Sequence, residues 1–115
     1  MKQMKPNWTQ EFSGAVTLSD ATGKIVYMNQ KASQVFEKQG GRKLVGKNLM
    51  DCHSASSRKR LQEMIQKQEK NIYTIEKKGV KKLIYQAPWY HRGAFAGLVE
   101  LSLELPAVMP HFIRG

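Results

Sequence analysis

The last third of this chain alternates, and that alternation limits what it can fold into. In "AFAGLVELSLEL", Phe95, Gly97, Val99, Leu101 and Leu103 share one parity, while Leu98, Glu100, Ser102 and Glu104 share the other. A period of two is the signature of a strand with two distinct faces. Two further strand-like runs precede it, "IYTIEKK" and "KKLIYQAPWY", separated by turns at Gly79 and at "HRG", ending on Gly93. Pro88 lacks a backbone donor, so the middle run needs an edge position or a bulge there. Pro106 and Pro110 stop the last strand.

The first third carries a hairpin pattern. Val16 and Leu18 alternate with Thr17 and Ser19, and Ile25 and Tyr27 with Val26 and Met28, around an Asp20-Ala-Thr-Gly23 turn. Asn29 is placed to cap the next helix, "QKASQVFEK", whose Ala32, Val35 and Phe36 form one stripe. Gly40-Gly41 ends it. "RKLVGKNLMD" is too irregular for a long element and predicts short turns. Beyond it, Leu61, Met64 and Ile65 repeat at helical spacing, with Arg58, Lys59, Gln62, Glu63 and Gln66 on other faces. That predicts an amphipathic helix of about four turns, ending near Lys70-Asn71, with Ser54 or Ser56 as its cap. Strands, a helical middle and strands again argue for an α+β fold with an antiparallel sheet.

Composition narrows the class. A chain of 115 residues with 41% hydrophobic and 24% charged residues suits one packed domain. The net charge of +10 is scattered over three groups: Arg42, Lys43 and Lys47; Arg58, Lys59 and Arg60; Lys77, Lys78, Lys81 and Lys82. This reads as a solvated basic surface rather than a nucleic-acid interface. One cysteine fits a reducing compartment, and no signal peptide or membrane-length apolar run is present; a soluble, cytoplasmic protein is the expectation.

Several short motifs, in order, resemble a PAS domain. "VTLSDATGKIVYMNQKASQVF" is similar to that family's opening strand, Asp-x-x-Gly turn, strand, Asn and helix. "KLVGKNLMD" resembles its Leu-x-Gly-x-x-Leu segment, and "APWYHRGAFAGLVELSLEL" its closing strands. The resemblance implies a PAS-like five-stranded antiparallel sheet (β-β-α-α-α-β-β-β) with helices on one face, over residues 12–105. Residues 1–11 would form an N-terminal cap segment and 106–115 a tail packed through Met109, Phe112 and Ile113. It also implies a non-catalytic sensory module that binds a small ligand or relays a signal to a partner. The alternative is a dimerisation or interaction module with a packed core. Flavin is argued against, because Leu49 stands where the light-sensing members carry their reactive cysteine. Haem-binding members use a histidine in the long helix, and none occurs there, which counts against a standard haem site. The cofactor, if any, is left open. Met1 and Gly115 permit a complete small protein, which would signal through a homodimer or a separate signalling protein.

Candidate site residues follow. Cys52 and His53 offer two ligands where zinc needs three or four, and no group is placed to orient His53 as a base. They read first as a helix entrance, Cys52 a small buried hydrophobe, and second as pocket lining or an iron or polar-ligand contact. Phe36, Met64, Ile65, Tyr73, Tyr85, Trp89, Phe95 and Val99 are expected between helices and sheet, depending on register, as core or pocket wall. Only one of Tyr85 and Gln86 can face inward; Gln86 inward would be a polar cavity group. The ligand-contacting candidates are Phe36, Met50, Cys52, His53, Met64, Tyr73, Gln86 and Trp89. Trp8 and Phe12 are expected on an N-terminal helix that packs on the sheet or on a second subunit. No convergent acid, base, nucleophile or metal set points to catalysis.

Overall fold

The computed structural model describes residues 6–52 and 54–115, and of Cys52 the backbone alone. Strands β1 (Ala15–Ser19), β2 (Ile25–Met28), β3 (Asn71–Lys77), β4 (Val80–His91) and β5 (Ala94–Glu104) form one antiparallel sheet in the order β2-β1-β5-β4-β3. Helices α1 (Gln30–Val35) and α2 (Ala55–Lys67) and three short 3-10 turns between them connect β2 to β3. The α+β architecture expected from the alternation is present.

Each connection has a local cause. Lys78-Gly79 and Arg92-Gly93 both take positive φ at two successive positions, the backbone of a tight primed hairpin turn, whose twist matches that of its strands. In the β1–β2 turn the Asp20 carboxylate accepts from the Thr22 hydroxyl (2.7 Å) and from the Thr22 and Lys24 amides. Those bonds hold its pKa below the usual carboxylate value, the Thr22 hydroxyl contributing most.

Asn29 does more than cap. Its Oδ1 accepts from the Ala32 and Val16 amides, and its Nδ2 donates to the Thr9 and Gly14 carbonyls. All four hydrogen-bonding capacities of a fully buried amide are used, tying α1, β1 and the N-terminal segment together. The N-terminal segment is a hydrogen-bonded turn rather than the expected helix. Trp8 and Phe12 meet edge to face at 5.4 Å, and Phe12 lies with Leu103 over Gly14. The carbonyls of Thr9 and Gly14 are engaged by Asn29, so this stretch is tied down by a side chain instead of by its own helical ladder.

Two expectations about α2 are corrected. Ser54 sits at its N-cap, but the hydroxyl faces those of Ser56 and Ser57 and caps no amide. The helix stops at Lys67, because Gln68 turns left-handed (φ 53°) and Glu69 reaches back to Arg60 (2.8 Å).

Pro88 meets both of its requirements. β3 pairs with β4 only as far as Gln86, so β4 is locally an edge at Pro88, and a bulge follows between Trp89 and Tyr90. That bulge leaves Ala96 without a partner, since Trp89 pairs with Gly97 and Tyr90 with Phe95. The alternation therefore changes phase. Phe95 joins Leu98, Leu61 and Met64 on the helix side, and does not share a face with Val99, Leu101 and Leu103 as expected from strict alternation. At Gly97 a Cβ would overlap the Ser19 carbonyl, so only glycine permits this crossing of β1 and β5.

The buried residues fall into two clusters. Ala15, Ile25, Met28, Ala32 and Leu44 gather under α1; Leu61, Met64 and Leu98 gather under α2. Val35, expected to share a buried stripe with Ala32 and Phe36, is exposed instead, because α1 ends there and the chain turns into the 3-10 turn Glu37–Gln39. Leu49 packs against both. Beyond Pro106 the tail leaves the sheet: Met109, Phe112 and Ile113 are 59%, 72% and 93% exposed, which overturns the expected packing. With no strand or helix in residues 105–115, nothing returns these side chains to the core. Among the described residues, no helix is long and apolar enough to cross a membrane.

Candidate functional site

A cavity of about 270 Å³ opens between the residues packed under α1 and the sheet, with Gln39 among its lining. Ile25, Phe36 and Leu44 form its apolar wall, and Leu49 closes it toward α2. Leu49 is held there through its own chain segment: its amide bonds the Gly23 carbonyl, Asn48 donates to the Thr22 carbonyl, and Lys47 and Gly46 bond both polar groups of Ile25. The irregular "GKNL" stretch is thus a strap across the first hairpin.

The sheet supplies the polar wall. Register places Met28, Thr17, Glu100, Gln86 and Asn71 in one row across all five strands, on the helix-facing side. Asn71 Nδ2 donates to Gln86 Oε1 (2.9 Å), and Gln86 Nε2 donates to Glu100 Oε2 (2.9 Å). A carboxylate only accepts, so it fixes which way the Gln86 amide points, and Gln86 in turn fixes Asn71. Thr17, Gln86 and Glu100 line the cavity, and they also line an adjoining space of about 30 Å³ beneath Leu61 and Met64, sized for a water.

Among the described residues, Glu100 is the single charged side chain lining the larger cavity. Both ion pairs among the described residues belong to Arg60, so Glu100 has no cationic partner. Among the described residues it makes one side-chain hydrogen bond, which leaves most of its acceptor capacity unused. Tyr73 stands on the same face of β3 as Asn71. It is 41% exposed; partial burial raises its pKa first and the Glu100 charge second.

Phe36, Tyr73 and Gln86 share the larger cavity, and Met64, fully buried, shares the smaller one with Gln86. Met50 lies on another side of α2, in an open groove of about 700 Å³ with Ala21, Thr22 and Gln66. Trp89 has the opposite parity to Gln86 and lines none of these spaces; its indole N–H donates to the Ser19 carbonyl (2.9 Å). Tyr85 likewise alternates away from the helices. Cys52 ends the 3-10 turn Leu49–Cys52, and His53 lies outside the described residues. Among the described residues no group of three or more His, Cys, Asp or Glu could hold a metal.

Sequence reading missed Glu100, Thr17, Asn71 and Leu49. Its one usable signal was polar residues at inward parity on β5, and the bulge hid which residue of β4 they meet.

This architecture is the PAS fold. No protein-family model and no curated protein matches the sequence. Solved structures do match. The Aer2 receptor of Vibrio cholerae, a dual PAS-haem oxygen sensor, is 17% identical over 82% of this chain and 96% of that one, with a TM-score of 0.64. A sensory box sensor histidine kinase from Vibrio cholerae is 18% identical over 86% of each chain, TM-score 0.59. The Vibrio cholerae VqmA dimer, a LuxR-type receptor, is 14% identical over 86% of this chain, TM-score 0.64, and this chain spans 49% of it.

Proposed function

We propose that this chain is a non-catalytic PAS sensory module that holds a small ligand between helices and sheet and relays occupancy to a partner. One observation carries the reading: a cavity with an apolar wall on one side and an under-used carboxylate on the other. A packed core would leave no such space open beside a half-buried carboxylate. Phe36, Tyr73, Gln86 and Met64 are the contacts proposed from the candidates; Cys52 and His53, at the entrance to α2, stand as secondary ones. The resemblance to sensor domains is one of fold, and it supports the class of function only.

The relay follows from the sheet. Glu100 is flanked on β5 by Val99 and Leu101, which face the opposite side, where Phe12 lies beside Leu103. A ligand that pulls on Glu100 acts on the strand that carries this outer surface. The proposed partner, a second copy or a separate signalling protein, docks there through Trp8 and Phe12; Trp8 is 62% exposed.

Native mass spectrometry of freshly purified protein tests the reading. The expected result is an added small mass, lost on denaturation and reduced in Phe36→Ala. A bare chain that also takes up no small molecule from a fragment library would overturn the ligand reading and leave the interaction module with a packed core.

A further inference from the structure

The chemistry of the cavity also restricts what it admits. We propose that it selects small ligands with a cationic or N–H donor head on a compact apolar body, with Glu100 as the recognising group. This rests on the ligand-binding reading above and deepens it.

Four observations converge. The protein carries a net charge of +10, yet among the described residues no lysine or arginine lines the larger cavity, and the one charged lining residue is negative. The bond from Gln86 Nε2 holds Glu100, a residue of the cavity lining, by one oxygen and leaves further acceptor sites unused. The Thr17 hydroxyl, directly across from Glu100 in the β1–β5 register, makes no hydrogen bond within the described residues and offers a second acceptor. The rest of the lining is mainly apolar, the aromatic ring of Phe36 and the side chains of Ile25, Leu44 and Leu49, with Gln39 and Tyr73 as further neutral polar groups. The volume of about 270 Å³ lies near the lower end of small-molecule pockets. An anionic head would meet the carboxylate and find no cation to offset it. A wholly apolar ligand would cover Glu100 and remove its water without returning a donor. An amidine, a primary amine or a protonated nitrogen ring would supply charge-assisted bonds, paired ones if planar.

The test uses three probes of similar size on the full chain: benzamidine, benzoate and toluene, followed by amide-resolved NMR titration. The expected result is that benzamidine binds about tenfold more tightly than toluene, the effect of one charge-assisted hydrogen bond. It shifts the amides of Gln86, Glu100 and Leu49, benzoate gives no binding, and Glu100→Gln brings benzamidine down to the toluene level. The comparison of probes on the unaltered protein needs no variant, so it stands even if Glu100→Gln folds poorly. Equal binding of toluene and benzamidine would overturn the proposal while leaving the pocket in place. Preferential binding of benzoate would do the same. Binding of none of the three would overturn both this proposal and the ligand reading.

Discussion

Two polar networks sit about one strand apart in this molecule and are built to opposite ends. Around Asn29 every donor and acceptor is matched, the side chain is fully buried, and three segments meet on it. Along Asn71, Gln86 and Glu100 the residues are half-buried, the chain of bonds runs one way, and it ends on a carboxylate with acceptor sites left over. The first network has nothing to offer a ligand. The second contributes little that the fold needs and much that a ligand could use. Polar burial as such therefore does not mark a site; leftover capacity facing a space does.

The largest expected effect tests the closed side. Asn29→Leu strands the Val16 and Ala32 amides and the Thr9 and Gly14 carbonyls, so urea unfolding should show a loss of about 3 kcal/mol or more. Met64→Ala, at a site with no exposure, should cost about 2–4 kcal/mol by opening a hole under α2. A loss under about 1 kcal/mol in either would mean that the packing around that residue is looser than described. On the open side, Gln86→Leu should change stability by less than about 1 kcal/mol, since Asn71 and Glu100 keep access to water. A penalty equal to that of Asn29→Leu would erase the contrast.

Finer effects sharpen it. Glu100→Gln should lower the Tyr73 pKa without bringing it to the ordinary value, because burial, the larger cause, remains; ring-proton NMR against pH reads this. No movement at all would place Glu100 too far from Tyr73 to share a ligand. The smallest effect is at Asp20. Its folded pKa is depressed, so its contribution is present above the unfolded value and is lost as pH falls through the folded one. The exposed turn should lose a little stability in acid, and Asp20→Asn should remove that dependence; an unchanged acid profile would contradict the bonding in the turn.

Much of the architecture was legible because it is written locally. The period of two in β5, the Gly79 and Gly93 turns, Asn29 before α1 and the stripe of Leu61 and Met64 each announce one element within a few residues. The site was legible in half. Phe36, Tyr73 and Gln86 line the cavity; helical spacing pointed to Phe36 and residue type to Tyr73, while alternation left Gln86 and Tyr85 as alternatives for one inward place. Glu100 was not found because register is not a local property. An unbroken two-residue hairpin at Arg92-Gly93 would set Gln86 opposite Val99; the extra residue at Ala96 sets it opposite Glu100 instead. The same bulge moved Phe95 to the helix side. Trp89 and the apolar residues of the tail were misplaced for a related reason: hydrophobicity says that a side chain seeks cover, not which surface provides it.

The most direct single measurement is the urea midpoint of the unaltered protein and of Glu100→Gln, each with and without benzamidine. A ligand that binds only the folded state raises the midpoint. The account predicts nearly coincident midpoints without the probe, and a rise with it in the unaltered protein alone. A Glu100→Gln midpoint already lowered without the probe would make the ladder structural. An equal rise in both proteins would show that the carboxylate plays no part in recognition.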